Sequence, residues 1–219
     1  MSPRTKEQND EIRKQRTQEI MKAAILVYAE KGYAASEIGE VAERAGLARG
    51  LVYHYFKNKQ TLFRELYEYM MNSAQSNTVA HFAREGAVLE LFNTYAWSVC
   101  NQVLEAPAIF RFYTRISLDV HYLYTDGTYS PLEWVKSFMK PMVQALEKGI
   151  EQTTIRSGDA NLMAMQFWGA ISQGMAYIDH QQVQNAAAQA VKTQQTRDKE
   201  LKAILEQVVE SALAVIRPE

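Results

Sequence analysis

The sequence predicts an all-α protein with an N-terminal three-helix helix-turn-helix domain and a larger C-terminal helical domain. Only 10 glycines and 5 prolines interrupt the 219 residues, and the apolar residues recur mostly at three- and four-residue spacing. Both observations favour helix, because glycine and proline end helices and this spacing creates one apolar helix face. In addition, residues 36–59 have the pattern of two short helices joined by a tight turn at Gly46.

The first three helices are predicted to close a small core. The first covers residues 17–31, and Gly32 supplies the left-handed residue after its end. Residues 1–15 are polar, which predicts a frayed arm or an early helical turn. Ser36 is the candidate N-cap of the second helix. The core is predicted from Ile20, Ala24, Val27, Tyr28, Ile38, Val41, Ala42, Leu47, Val52 and Phe56.

The rest of the chain predicts six longer helices. They are placed at residues 59–80, 87–104, 108–122, 132–152, 159–180 and 199–216. A turn is predicted at 124–131, and the Gln- and Ala-rich residues 181–198 either extend a helix or form irregular structure. We place the domain boundary inside the fourth helix, which gives a helix-turn-helix domain over 1–65 and a helical domain over 66–219.

Charge and cysteine content limit the function classes. The net charge is −1, but residues 1–60 hold 11 Lys and Arg against 8 Asp and Glu, whereas the remainder is acidic. A basic end on an acidic body fits DNA contact at that end. The single cysteine, Cys100, excludes an internal disulfide and lies in an apolar stretch, which predicts a buried position. No apolar run approaches the ~18 residues of a membrane helix, and the N-terminus is polar, so we expect a cytoplasmic protein without a membrane partner.

The second helix of the motif carries Arg49, Tyr53, His54 and Tyr55, and Lys59 follows it. In a helix-turn-helix the second helix places its first residues against base edges in the major groove. Arg49 can reach the O6 and N7 atoms of guanine, a contact worth ~1–3 kcal/mol of discrimination. The tyrosine hydroxyls can bind phosphates, and Lys59 can hold a phosphate at the start of the fourth helix. Alternatively, the two tyrosines pack the small domain.

Three blocks of sequence surround these residues: Ala-Glu-Lys-Gly-Tyr at 29–33, Val-Ala-Glu-Arg-Ala-Gly-Leu at 41–47 and Val-Tyr-His-Tyr-Phe-Lys-Asn-Lys at 52–59. In this order and spacing they resemble the DNA-binding domain of the tetracycline-repressor (TetR) family. The resemblance covers about a quarter of the chain. It implies a dimeric transcription factor, in most members a repressor, whose C-terminal domain binds a small ligand and releases DNA.

The resemblance also implies roles for individual residues. Positions that approach bases in the family correspond to Arg49, Gly50 and His54. Positions that contact the DNA backbone correspond to Ser36, Leu51 (through its main chain), Tyr53, Tyr55 and Lys59. The sequence departs from the family at Ala48, where Ser or Thr is usual, so the recognition helix lacks a side-chain N-cap at a cost of ~1 kcal/mol. It departs again at Leu51, which replaces a common Thr.

The predicted C-terminal domain is rich in aromatic and methionine side chains. At helical spacing these are usually core residues, but as a set they exceed what a plain bundle needs, and cavities between helices are common ligand sites. We therefore expect a pocket for a small, largely apolar or aromatic ligand. Its predicted lining residues are Tyr95, Phe112, Arg115, Trp134, Phe138, Phe167, Trp168 and Gln173. Arg115 lies four residues after Arg111, which suits an anionic group or, equally, a surface ion pair.

A homodimer interface is predicted on the last two helices. The small residues are Ala164, Gly169, Ser172, Gly174 and Ala176, and the last helix has a wide apolar stripe. Together they could form a four-helix interface across a two-fold axis, and the resemblance implies the same location. A dimer would match a palindromic operator in double-stranded DNA, with half-sites ~34–36 Å apart.

The sequence gives no sign of catalysis. Its four histidines are scattered without metal-ligand spacing, and it has neither a glycine-rich phosphate loop nor a nucleophile elbow. We expect no enzyme activity, metal or cofactor. The prediction is a dimeric, sequence-specific transcriptional regulator, a repressor released from its operator by a small ligand. The alternative is an architectural or partner-regulated DNA-binding protein without an inducer.

Overall fold

The computed structural model describes residues 5–125, 127, 129–187 and 193–218. These residues form nine α-helices and no β-strand, which confirms the all-α prediction. The helices are α1 (Lys6–Ala35), α2 (Ile38–Arg44), α3 (Arg49–Tyr55), α4 (Lys59–Phe82), α5 (Val88–Glu105), α6 (Pro107–Leu123), α7 (Pro131–Glu151), α8 (Ala160–Ala187) and α9 (Gln194–Leu213). None of the helices found in the described ranges is long and apolar enough to span a membrane.

Packing divides the chain into two compact units, and neither is continuous in sequence. The first unit runs up to Asn72 and includes Ala108–Tyr129, so α6 belongs with the helix-turn-helix. The second unit comprises Ser73–Pro107 and the chain from Ser130 onward. The functional boundary between 65 and 66 stays a prediction, since packing alone does not say which residues bind DNA or ligand.

The core of the first unit is built around the ring of Tyr28, which is fully buried. The ring lies edge-on to Phe63 of α4 at 5.0 Å and to Phe112 of α6 at 5.2 Å. Such edge-to-face pairs stabilise a core beyond the area that they bury. Val52 of α3 and Phe56 after it are also buried. The predicted small core is therefore completed by α6, which comes from much later in the chain.

The second unit is an aromatic-rich helical body. Phe92 of α5 lies 4.8 Å from Phe82 of α4 and 4.8 Å from Phe167 of α8. The hydroxyls of Tyr95 and Thr78 form a buried hydrogen bond of 2.9 Å. Cys100 is fully buried, as its apolar setting predicted. These contacts hold α5 against the end of α4 and the middle of α8.

The first helix begins earlier and ends later than the sequence predicted. It begins at Lys6, because Thr5 and Gln8 form a capping box that satisfies the first N–H groups. The expectation of a frayed arm is therefore wrong from residue 6 onward, and residues 1–4 lie outside the described part of the chain. Gly32 has the predicted left-handed conformation (φ 72°), but the chain resumes helical structure until Ala35.

The last two helices also differ from their predicted bounds. α8 continues to Ala187, so part of the Gln- and Ala-rich segment extends a helix, and α9 begins at Gln194. Residues 188–192 lie outside the described part of the chain, as do positions 126 and 128 of the predicted turn. The apolar stripe of α9 is turned into the chain's own body, where Leu201, Leu205 and Val209 are buried.

Candidate nucleic-acid interface

The turn between α2 and α3 sets the angle of the helix-turn-helix. Gly46 adopts a left-handed φ of 66°, which a side chain would strain. Its N–H donates to the carbonyl of Glu43 at 3.0 Å, and the N–H of Leu47 donates to the carbonyl of Ala42 at 2.9 Å. The predicted helix-turn-helix is therefore present with its turn at the predicted glycine.

The recognition helix α3 packs on the domain through one fully buried residue and exposes four residues on its outer face. Val52 is fully buried, whereas Arg49, Gly50, Tyr53 and His54 are exposed. Ala48 occupies the N-cap position without a side-chain hydrogen bond, as its residue type predicted. The free N–H groups at the start of α3 are therefore not covered by a capping side chain, and they lie beside Arg49.

Arg49 and Tyr53 are paired on this exposed face. The Nη2 atom of Arg49 donates to the hydroxyl of Tyr53 at 3.4 Å, and the guanidinium carbon lies 5.7 Å from the centre of the tyrosine ring. Tyr53 is 43% exposed, so it does not pack the small domain. The tyrosine restricts the arginine side chain, which lowers the entropy that a base contact would cost.

Leu51 and Tyr55 are the half-buried residues of this helix. The ring of Tyr55 meets that of His54 edge-to-face at 5.5 Å. Tyr55 is thus partly packed and partly open, which fits both interpretations that the sequence allowed. The DNA role of each of these residues stays a prediction.

Ser36 differs from its predicted structural role. It closes the last turn of α1, where its hydroxyl donates to the carbonyl of Gly32 at 2.6 Å. The N-cap of α2 is Glu37, which makes no side-chain capping bond. The prediction of Ser36 as the N-cap of α2 is wrong because α1 continues past Gly32 to Ala35, and Ser36 is the residue that ends α1. Ser36 is fully buried, so its hydroxyl faces the protein in this conformation.

Lys59 also faces the end of α1. Its ammonium donates to the carbonyls of Ala34 (3.1 Å) and Ser36 (2.9 Å) and lies 4.7 Å from the ring centre of Tyr33. An ammonium group has three N–H donors, so two are committed to the backbone. The predicted phosphate contact of Lys59 stays a prediction, and the side chain has a capping role that sequence reasoning missed.

Two ion pairs join α1 to α2. Arg44 makes a bidentate pair with Glu30 at 2.6 and 2.9 Å, and Lys31 pairs with Glu40. The hydrogen bonds from Arg44 lower the pKa of Glu30 below its usual value. The negative charges of Glu30 and Glu40 are therefore partly compensated within the domain.

The segment that leads into α2 is held by α6, which sequence reasoning did not find. Oδ2 of Asp119 accepts hydrogen bonds from the hydroxyl of Tyr28 (2.8 Å) and the N–H of Tyr33 (3.0 Å). Burial and the Asp119 carboxylate raise the pKa of Tyr28. Arg115 donates to the carbonyl of Glu30 at 3.0 Å. Together these bonds fix the kink that precedes the helix-turn-helix.

Residues 20–66 match the family model described as bacterial regulatory proteins, tetR family. This match runs from the buried part of α1 through α2 and α3 to the start of α4, and it does not include α6. Over this segment the chain is similar to the TetR family.

Among curated relatives, the transcriptional regulator AcrR of Shigella flexneri is 35% identical over 68 residues, covering 31% of the chain and 30% of AcrR. The fatty acid metabolism regulator protein of Bacillus subtilis is 42% identical over 53 residues, covering 24% and 27% of the two proteins. The chain therefore matches less than a third of the length of these relatives.

Solved structures show the same fold over almost the whole chain. A ketosteroid transcriptional regulator of Mycobacterium tuberculosis aligns with a TM-score of 0.68 and 18% identity, covering 93% of this chain and 96% of that one. The regulator FadR from Bacillus subtilis, solved in complex with stearoyl-CoA, aligns with a TM-score of 0.60 and 20% identity, covering 91% and 99%. The likeness in fold thus extends beyond the part that is similar in sequence.

The predicted ligand-lining residues are divided between the two units. Phe112 and Arg115 lie in the first unit, where Phe112 packs on Tyr28 and Arg115 binds the backbone of α1. Six lie in the second unit: Tyr95, Trp134, Phe138, Phe167, Trp168 and Gln173. Gln173 is exposed. The ligand role of all eight stays a prediction, but Phe112 and Arg115 have structural contacts that the sequence did not indicate.

In the described part of the chain, titratable side chains outside α3 do not form a recognisable metal site. Among the described residues, no group of three or more His, Cys, Asp or Glu side chains is placed to hold a metal ion. His81, for example, hydrogen-bonds through Nε2 with the carbonyl of Leu91 at 2.8 Å.

Proposed function

We propose that the protein is a dimeric, sequence-specific transcriptional repressor in the cytoplasm, released from its operator by a small ligand. The observation that carries the proposal is the exposed start of α3, where Arg49 lies against Tyr53. An arginine at this position of a helix-turn-helix is suited to read guanine in the major groove. The other exposed residues of α3 are suited to contact the bases and phosphates of DNA.

Support for a dimer comes from α8. Four exposed apolar side chains lie within about a third of the circumference of this helix at about 100° per residue: Leu162 (54%), Met165 (61%), Tyr177 (53%) and Val183 (49%). Such a row on one face favours packing against a second copy, since isolated exposed apolar residues would not follow helix periodicity. Ala164, by contrast, is buried within the chain, and Gly174 lies against Val208, so these two of the predicted interface residues serve the protomer's own packing.

Support for a small, apolar ligand comes from the aromatic content of the second unit and from the structural neighbours. The FadR structure contains stearoyl-CoA, and the Mycobacterium tuberculosis protein is described as a ketosteroid regulator. The stearoyl chain and the steroid skeleton in these names are apolar groups. The likeness extends over the second unit, so we propose an apolar or aromatic effector for this chain as well.

The DNA-binding part is tested by selection from a random duplex library, followed by footprinting at moderate salt. We expect enrichment of one short palindrome and protection of both half-sites. Spread protection that disappears as salt rises would instead favour the architectural alternative, because non-specific binding depends on released counterions.

The dimer is tested by the mass of the protein in solution. Met165→Glu introduces a charge into the exposed row of α8 and should shift the protein toward monomer. Val79→Glu changes another exposed apolar residue (47%), which lies on α4, and should leave the dimer intact. A monomeric wild-type protein at micromolar concentration, or an unchanged dimer in Met165→Glu, would contradict the proposed interface.

A further inference from the structure

Three aromatic rings form a contiguous cluster in the second unit, which we call the aromatic trio: Trp134, Phe138 and Trp168. Trp134 lies one turn before Phe138 on α7, and their rings stack at 5.0 Å with an interplanar angle of 14°. The ring of Phe138 meets Trp168 of α8 edge-to-face at 4.8 Å. Phe138 is buried, whereas the two tryptophans are half-buried, so the trio extends from the surface into the helical body.

The indole nitrogen of Trp134 is buried without a partner. Nε1 is shielded from solvent and has no hydrogen-bond acceptor among the described residues. Because Trp134 as a whole is only half-buried, the nitrogen edge of its ring is the edge that points inward. The indole N–H can only donate, and leaving it unsatisfied in a buried place is unfavourable.

Two other polar pairs of the second unit are satisfied within the protein. The hydroxyl of Tyr95 bonds that of Thr78 at 2.9 Å, and on the first turn of α7 Glu133 and Lys136 pair with each other at 2.9 Å. A phenylalanine in place of Trp134 would keep the stacked ring without an orphaned donor. An acceptor supplied by a ligand would satisfy this donor.

We propose that the aromatic trio is a ligand subsite that binds a flat, apolar molecule with a neutral hydrogen-bond acceptor, to which Nε1 of Trp134 donates. Flat rings favour stacking on the aromatic faces. A carbonyl or ether oxygen suits a single neutral donor, whereas a carboxylate would need a cation or several donors. The subsite deepens the proposed effector response, and its regulatory consequence rests on that proposed function.

A pair of matched probes tests the subsite. 2-Acetylnaphthalene has a flat body and a ketone oxygen, and 2-isopropylnaphthalene has nearly the same shape without an acceptor. The chain has three tryptophans, so the 15N-labelled protein gives few indole N–H signals, and the one from Trp134 is assigned with Trp134→Phe. We expect the ketone to shift this signal downfield, whereas the hydrocarbon does not produce the hydrogen-bond shift.

Affinities measured by calorimetry complete the test. Trp134→Phe should weaken binding of the ketone about tenfold and leave the hydrocarbon within about twofold, as expected for loss of one buried hydrogen bond. Trp97→Phe, at a half-buried tryptophan of α5, should change neither affinity. A thermal melt of each variant confirms that the fold is retained.

Three results would overturn the subsite: neither probe binds up to its solubility limit, both probes lose affinity equally in Trp134→Phe, or neither loses any. Operator binding measured in parallel separates this inference from the proposed function. If the ketone binds through Trp134 while DNA stays bound, the subsite stands and its effector role is overturned. If no duplex is ever selected but the ketone binds, only the repressor proposal is overturned.

Discussion

The hydroxyl of Tyr28 donates to Oδ2 of Asp119 at 2.8 Å, although 91 residues separate them in sequence. The same carboxylate oxygen accepts the N–H of Tyr33 at 3.0 Å, directly after the left-handed Gly32. One oxygen atom of α6 thus holds α1 on both sides of its kink. Because α2 begins a few residues later, Asp119 fixes the point from which the helix-turn-helix starts.

Replacing Asp119 with alanine should destabilise the protein. The change leaves the buried hydroxyl of Tyr28 without its acceptor and removes the acceptor of the Tyr33 N–H, and a hydrogen bond to a charged group is worth about 1.5–3 kcal/mol. We expect a loss of about 2 kcal/mol in the free energy of unfolding in urea, measured with Tyr28→Phe and the double variant. Additive effects in this double-mutant cycle would show that the two residues are not coupled.

A second prediction concerns the close approach of α8 and α9. A Cβ atom at Gly174 would lie 2.2 Å from Cγ1 of Val208, so Gly174→Ala forces the two helices apart. We expect a destabilisation of about 1–3 kcal/mol, measured by thermal or urea unfolding. Gly39→Ala on α2 is the matched control, since no atom lies within 4 Å of its added Cβ and alanine favours helix.

Adding Val208→Ala to Gly174→Ala provides the rescue. The smaller side chain removes both methyl groups that the new Cβ would meet, so part of the lost stability should return. If Gly174→Ala is as stable as Gly39→Ala, the two helices do not pack at the observed distance.

Local features of the sequence were sufficient for the helix-turn-helix. Gly46 marks the turn because a left-handed residue is needed there, and the apolar spacing of Val41 and Val52 fixes which helix faces are buried. The Thr5-x-x-Gln8 capping box that starts α1 was also readable, but the polar composition around it left a frayed arm and an early helical turn as alternatives. Composition is a weaker indicator than a specific capping pattern.

Contacts between distant segments could not be predicted in the same way. Nothing in the spacing around Asp119 indicates that it binds α1, because a single polar residue on an amphipathic helix has many possible partners. Arg115 and Phe112 were interpreted as ligand-lining residues for this reason. The role of Ser36 depended on whether α1 stops at Gly32, and a glycine alone does not distinguish a helix end from a kink.

The thiol of Cys100 should be inert in the folded protein. Burial raises the pKa of this thiol from 9.0 to about 12, so the reactive thiolate is scarce at pH 8.5. Iodoacetamide should label the native protein very slowly and the urea-unfolded protein rapidly, as followed by mass spectrometry.

The raised pKa of Cys100 also makes the free energy of unfolding depend on pH in the alkaline range. Since the pKa is raised on folding, the folded state keeps the proton longer than the unfolded state. The thiol's contribution is fully present below about pH 9 and is lost as the pH rises toward 12. Cys100→Ser should have a shallower loss of stability over this range, and rapid labelling of the native wild-type protein would contradict the prediction.

Substitution of Lys59 separates its capping role at the end of α1 from its predicted phosphate contact. Lys59→Met removes two hydrogen bonds to the end of α1, and we expect about 1 kcal/mol lower stability because the site is partly exposed. If the ammonium also binds a phosphate, affinity should fall equally for selected and random duplexes, and the salt slope should decrease by about one. Lys140→Met, at an exposed residue of α7, should change neither quantity. Unchanged stability in Lys59→Met would contradict the capping role.

The central claim is that α3 reads DNA bases through Arg49. Fluorescence anisotropy titrations of the selected duplex, its single-base variants and a random duplex test it directly for the wild type and Arg49→Ala. We expect Arg49→Ala to lose about 1–3 kcal/mol of discrimination at a single base pair of each half-site and to bind random DNA almost as before. Equal loss of affinity on all three classes of duplex would contradict the account.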